Sequence, residues 1–266
     1  MHNTAIWRTL ACACVAIGFG CATAHAEAAR VLDNDIACAP GTNGPDIVDV
    51  VPQLALNDFG AVHQQIGAVA GVYTTCDPNR NARWDFEGTL SAVSQPGGVA
   101  YSGLLGVGYE FKLWDEIIVI PLARLGFDHF PFGETDAVES GEVAIEANLP
   151  AFGNRNVRII LDDTPSYTGV ETATTAIPGP GKSQATFANL SVAGVDFPVG
   201  HHWRMKTSVA YNYIADNGPV NSIGSAIVSL RDEGSDGKFH NSYEVEYSHG
   251  DGHFDGVLFS IDFHWE

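Results

Sequence analysis

The sequence is poor in basic residues and in long apolar runs, and each shortage excludes a class of protein. Only 13 of its 266 residues are Lys or Arg, against 32 Asp and Glu, so the formal net charge is −19 at pH 7. Nucleic-acid binding needs a basic surface, and we therefore expect no nucleic-acid partner. Beyond the first segment of the chain, no stretch reaches the roughly 18 apolar residues of a membrane-spanning helix.

Residues 1–26 have the composition of a signal peptide. Arg8 supplies the positive start, and residues 10–19 supply an apolar core that is too short to span a membrane. Ala24-His25-Ala26 fits the small-x-small cleavage pattern. We therefore predict an exported protein, followed by a polar N-terminal tail on the periplasmic side over residues 27–45.

Cysteine is scarce outside the predicted signal peptide. Of the five cysteines, Cys12, Cys14 and Cys21 lie within it, which leaves Cys38 and Cys76. Two cysteines in an oxidising compartment most simply form one disulfide. The alternative is two free thiols.

From about residue 46 onward the chain alternates apolar and polar residues with a period of two, which is typical of β-strands. One example opposes Trp84, Phe86 and Leu90 to Asp85 and Glu87. Segment 117–125 is apolar on both faces and contains Pro121, where we expect a bulge or break. Segment 164–182 is rich in Thr and Pro and is predicted to be a surface loop. The predicted strands are 46–56, 60–74, 84–92, 99–111, 117–129, 140–149, 156–162, 183–196, 203–213, 222–230, 240–248 and 257–266.

Tryptophan placement favours a membrane barrel over a soluble sandwich. If both chain ends lie on the periplasmic side, Trp84, Trp114, Trp203 and Trp265 all fall near periplasmic turns or the C-terminus. Amphipathic aromatic residues collect at membrane interfaces, whereas a sandwich has no reason to place its Trp residues at one end. The same topology puts both remaining cysteines on one side.

The last strand alternates and ends on an aromatic residue, through Val257, Phe259, Ile261, Phe263 and Trp265. This ending resembles the export signature of bacterial outer-membrane β-barrel proteins of the porin-like type, although Glu266 follows the aromatic residue. The resemblance implies insertion by the barrel-assembly machinery into a Gram-negative outer membrane, among lipid and lipopolysaccharide.

We therefore predict an all-β fold: one antiparallel up-and-down transmembrane β-barrel over residues 46–266. About twelve strands are expected, with ten as the alternative. A soluble periplasmic β-sandwich or a lipocalin-like binding protein is the competing fold, because both produce similar alternation.

On the barrel interpretation the charged residues of the strands line the lumen. Structural ion pairs between neighbouring strands, for example Glu142 or Glu146 with Arg124 or Arg158, are one interpretation. The other is a charged constriction that selects solutes, since rings of acids favour cations. The predicted lumen-lining residues are Arg83, Asp85, Glu87, Glu110, Arg124, Glu142, Glu146, Arg158, Arg204, Lys206, Glu244, Glu246 and Asp262.

The last extracellular loop carries the other candidate chemistry. His249, Asp251, His253 and Asp255 alternate imidazoles and acids, which are ligand types for a divalent metal. Ser248 beside His249 suggests a hydrolase, but adjacent residues of a strand face opposite sides. A hydrophilic Gly-rich turn is the simplest interpretation, and no other cofactor is expected.

A narrow channel or a structural barrel with an acid-rich lumen is therefore the predicted function. The alternatives are a barrel enzyme that acts on lipid or lipopolysaccharide, which the sequence favours less, and the soluble binding protein.

Overall fold

The computed structural model describes most of the chain from residue 46 to residue 265, and the predicted signal peptide and tail lie outside the described residues. Among those described, no helix is long and apolar enough to cross a membrane. The short gaps in the description are 61, 78, 96, 115, 132–134, 152–153, 174–182, 216–220 and 234–238.

Twelve strands form one closed barrel. Each strand pairs antiparallel with its sequence neighbours, and the first strand pairs with the last, from Val48↔Trp265 to Phe59↔Phe254. The predicted twelve-stranded antiparallel barrel is confirmed, and the ten-strand alternative is wrong. The strands are β1 Ile47–Phe59, β2 Val62–Cys76, β3 Ala82–Gln95, β4 Gly98–Trp114, β5 Ile117–His129, β6 Thr135–Ala151, β7 Asn154–Ala173, β8 Ser183–Pro198, β9 Trp203–Ala215, β10 Ser222–Asp232, β11 Phe239–Gly250 and β12 Phe254–Trp265.

The alternation in the sequence becomes the two faces of the barrel wall, because successive side chains of a strand point to opposite sides. The outward face is apolar. Leu105 is 74% exposed, Leu90 and Leu125 are each 68% exposed, and Val209 is 63% exposed. A soluble protein rarely exposes so continuous an apolar surface. A surface of this kind matches the lipid-facing wall of a membrane barrel.

Aromatic residues mark the two rims of the barrel. We call the rim that carries the start of β1 and the end of β12 the lower rim, and the opposite one the upper rim. All four tryptophans of the strands lie at strand ends on the lower rim, as predicted, and Trp84 packs there on Tyr109 with ring centroids 4.6 Å apart. Near the upper rim, Tyr167 packs on Phe187 at 5.2 Å. Such paired girdles are typical of the two interfaces of a membrane.

Strand β7 corrects the prediction of a loop over residues 164–182. It continues to Ala173 and pairs with β6 and β8, so only residues 174–182 remain outside the description. The loop prediction rested on the Thr and Pro content of the whole segment. Of its prolines, Pro165 lies within β7 and lacks the N–H that a strand ladder uses. The barrel accommodates it by a gap in the β6 ladder between Asp163 and Ser166.

Pro121 produces a similar gap. The ladder between β4 and β5 is interrupted between Leu122 and Val119, and a register shift follows near the lower rim. The structure also explains why segment 117–125 is apolar on both faces. Ile118 and Ile120 point inward and pack on Ala144, while the alternate residues face outward. The apolar segment is therefore a barrel strand that contributes a small apolar cluster to the interior.

Candidate functional site: the charged interior

The interior of the barrel is the candidate site, because strand alternation directs most charged side chains of the wall toward it. The predicted lumen-lining residues are all buried or half-buried in the barrel wall. Asp85 is 0% exposed, Glu146 1%, Lys206 2% and Arg124 4%. These side chains are shielded from water. Buried charges are costly unless they form ion pairs or hydrogen bonds, so partners are expected for each of them.

Arg124 holds the central ion-pair cluster. Its Nε donates to Oε2 of Glu87 at 2.9 Å, and its Nη1 forms a salt bridge with Oε2 of Glu142. Glu87 lies on β3 and Arg124 on β5, so the guanidinium reaches across β4. It can do so because Gly106, the β4 residue between them in register, has no side chain: a Cβ there would lie 2.9 Å from Cγ of Arg124.

A second pair lies toward the lower rim. Arg204 Nε is 3.0 Å from Oδ2 of Asp196, and its Nη2 donates to the backbone oxygen of Asn156 at 3.0 Å. Asp196 is directly opposite Lys206 in the β8–β9 register. The sequence does not indicate that Asp196 points inward, because segment 183–196 alternates poorly.

A third contact closes the barrel. Nδ1 of His264, on β12, lies 2.6 Å from Oδ1 of Asp49, on β1. The ring of His240 stands 5.6 Å from that of His264. His264 belonged to the polar face of the predicted last strand, but nothing in the sequence indicated its partner 215 residues away.

Hydroxyl groups hold further acids of the interior. Thr74 Oγ1 donates to Asp85 at 2.7 Å, and Ser248 Oγ donates to Glu246 at 2.6 Å. Each hydroxyl therefore fixes the position of its carboxyl group on the inner face of the barrel.

Further acidic side chains lie at buried or half-buried inward positions: Asp49, Asp128, Asp136, Asp162 and Asp196. Of these, Asp128 and Asp162 already lie on the polar faces of the predicted strands.

The last loop does not assemble the predicted metal site. His249 Nδ1 pairs with Oδ1 of Asp255 at 2.8 Å, and Tyr247 donates to the same oxygen at 2.9 Å. Asp251 instead accepts from the backbone nitrogens of residues 221 and 222, at 2.8 and 3.1 Å. Among the described residues, no group of three or more His, Cys, Asp or Glu side chains is arranged to hold a metal ion. His253 therefore belongs to no such group.

The hydrolase interpretation fails on strand geometry. Ser248 is buried on the inner face, whereas His249 is exposed on the outer face. The two side chains are therefore separated by the barrel wall, as strand alternation requires.

Only one of the two cysteines of the predicted disulfide lies among the described residues. Cys76 is the last residue of β2 at the lower rim. Cys38 lies outside the described residues, so the pairing stays a prediction.

The fold is similar to solved outer-membrane barrels. The translocator domain of the autotransporter NalP from Neisseria meningitidis matches with a TM-score of 0.59 at 11% identity, covering 94% of this chain and 98% of that one. The β domain of the Bordetella autotransporter BrkA matches with a TM-score of 0.55 at 12% identity, covering 83% and 98%. An outer-membrane channel from Pseudomonas putida F1 matches with a TM-score of 0.55 at 9% identity, covering 87% and 97%.

No protein-family model matches the sequence, and no curated protein matches it. The structural likenesses, at these identities, establish the fold. The fold and the apolar outer surface together are those of an outer-membrane β-barrel, without a specific family.

Proposed function

We propose that the protein forms a narrow, cation-preferring channel in the outer membrane. The observation that carries the proposal is the acid-rich interior of a closed barrel, in which carboxylates outnumber the basic groups that pair with them. Rings of acidic side chains favour cations in channels. In this proposal lipid and lipopolysaccharide surround the apolar belt, and the barrel-assembly machinery inserts the chain through its aromatic last strand.

The burial of the inward side chains supports a narrow path. A wide water-filled pore would leave its lining exposed, whereas Arg124 and its acidic partners are each less than 10% exposed. Twelve strands also lie between the filled eight-stranded barrels and the open sixteen-stranded porins. We therefore expect a small conductance, set by the level of the barrel at which Arg124 lies.

The test is conductance of the purified protein in a planar bilayer under a KCl gradient. We expect small unitary steps and a reversal potential on the cation-selective side. The double variant Glu87→Gln/Glu142→Gln removes two interior acids and should move the reversal potential toward anions. The control is Glu139→Gln, because Glu139 lies on β6 but faces outward, and it should leave the reversal potential unchanged.

A structural barrel is the second candidate, favoured by the same shielding of the interior. The folded state of the protein is checked by the difference in gel mobility between unboiled and boiled samples. If the folded protein conducts no current, the channel proposal is contradicted and the structural role remains. A current that is anion-selective would contradict the role given to the interior acids. The barrel-enzyme alternative rested on Ser248 and His249, which face opposite sides of the wall, and we do not propose it.

A further inference from the structure

The outer wall of the barrel, which is mostly apolar, carries a cluster of hydrogen-bonded polar side chains on β7 and β8. Oδ1 of Asp163, on β7, accepts hydrogen bonds from Ser191 Oγ at 2.7 Å and from Asn189 Nδ2 at 2.9 Å, both on β8. All three side chains face outward, since they alternate with inward-facing neighbours. We call these three residues the β7–β8 patch.

The β7–β8 patch lies within the apolar belt and not at its edge. On β8, Asn189 and Ser191 fall between the outward aromatic residues Phe187 near the upper rim and Phe197 near the lower rim. On β7, Asp163 lies four residues below Tyr167, which packs on Phe187 in the upper girdle. The carboxyl of Asp163 would therefore face hydrocarbon if nothing covered it.

A carboxyl in that position is costly, because lipid chains offer no hydrogen-bonding partner. Only one of its oxygens is used within the described part of the barrel: Oδ1 accepts both hydrogen bonds, and Oδ2 accepts none. The wall beside the patch is also indented. A groove of about 550 Å³ runs from Ile145 and Leu161 past Asp163 to Val209 and Tyr211.

The neighbouring strand β9 offers the complementary groups. Tyr211 and Tyr213 point outward, are 52% and 51% exposed, and pair in register with Ser191 and Asn189 of the patch. Their hydroxyls make no hydrogen bond to any residue that the structure describes. The same outer face thus carries an acceptor on β7 and phenol donors on β9, with β8 between them.

We propose that this face is the interface of a homodimer in the membrane. A two-fold axis along the membrane normal and beside β8 keeps both copies in the same orientation and sets β7 of one copy against β9 of the other. An isologous interface requires such self-complementarity, in which residue i meets residue j and residue j meets residue i. Asp163 of each copy then accepts from the tyrosine hydroxyls of its partner, and the polar patch leaves the lipid.

Disulfide cross-linking of the full-length protein in outer membranes tests this geometry. Ala193 faces outward on β8, lines the groove and takes no part in the patch hydrogen bonds. The variant Ala193→Cys should give a covalent dimer on a non-reducing gel. The matched control is Val69→Cys, because Val69 is outward and 50% exposed on β2, six strands away around the ring of twelve. It should give no more dimer than the unmodified protein.

Two further variants test whether the β7–β8 patch forms a dimer interface or is only a polar region of the wall. Asp163→Leu should convert the dimer in mild detergent to monomer by sedimentation equilibrium, and Tyr211→Phe should weaken it. Equal cross-linking at positions 69 and 193, or none at 193, would overturn the proposal. So would a monomeric unmodified protein that carries bound lipid by native mass spectrometry, because lipid would then cover the patch.

Discussion

His264 Nδ1 lies 2.6 Å from Asp49 Oδ1, and this contact links the last strand of the barrel to the first. It lies beside a gap in the β1–β12 ladder, where register pairs are missing between Val50↔Phe263 and Gln53↔Ser260. Pro52 lies within the gap and supplies no N–H. The side-chain contact therefore stabilises the seam where the backbone ladder is incomplete.

Replacing Asp49 with alanine should weaken this seam. Loss of a partly buried charged hydrogen bond costs about 1–3 kcal/mol in the free energy of unfolding, measured by urea unfolding in detergent. The control is Asp58→Ala, because Asp58 lies on the same strand but pairs with the exposed His63 on the outer face. Exposed pairs contribute about 0–1 kcal/mol. Equal losses in the two variants would show that the seam contact has no special role.

Arg124 should be the interior residue whose loss costs most. The variant Arg124→Gln leaves Glu87 and Glu142 facing each other without their cation, and breaking a buried pair in this way costs about 3–5 kcal/mol. The midpoint of the gel shift on heating should fall accordingly. Arg80→Gln, in an exposed turn at the lower rim, is the control.

The triple variant Glu87→Gln/Arg124→Gln/Glu142→Gln should recover most of the lost stability, because the uncompensated charges are then gone. A triple variant as unstable as Arg124→Gln would mean that the cluster acts through its packing and not through its charge.

If the outer wall contacts lipid, a charged substitution near the middle of the membrane should destabilise the barrel more than one near its surface. Leu105→Arg, at a position 74% exposed, should destabilise the folded barrel in bilayers by about 2–4 kcal/mol. Ser94→Arg, on the outer face one residue before the upper end of β3, should cost about 0–1 kcal/mol. Reversible unfolding in lipid vesicles measures both. A soluble barrel would show no such dependence on depth.

Gly126 should tolerate no side chain. A Cβ at this position would overlap the backbone oxygen of Gly103 and lie 2.6 Å from Cδ2 of Leu104, so Gly126→Ala should cost about 1–3 kcal/mol through overpacking. Gly67→Ala is the control, since a Cβ there meets nothing within 4 Å. Thermal midpoints of the two variants decide the point, and a stable Gly126→Ala protein would refute the close approach of β4 and β5.

Some features of the interior could be predicted from the sequence and others could not. The inward position of Arg124, Glu142 and Glu87 follows from alternation within each strand. Contact across β4 depends in addition on Gly106, whose role emerges only when the register is known. Asp196 was missed because its strand alternates weakly, and the extension of β7 was missed because Pro165 has the local character of a loop residue.

The sequence by itself determined the antiparallel meander and the assignment of the tryptophans to one rim, and it limited the strand number to about twelve or ten. These features depend on a period of two and on turn residues, and both are local in the chain. Only the tertiary structure decided which charges meet, that Asp49 and His264 close the ring, that the loop acids do not converge on a metal, and that Asp163 lies in the apolar belt. Those relationships depend on the register between strands and on the tilt that barrel closure imposes, which place together residues that are far apart in sequence.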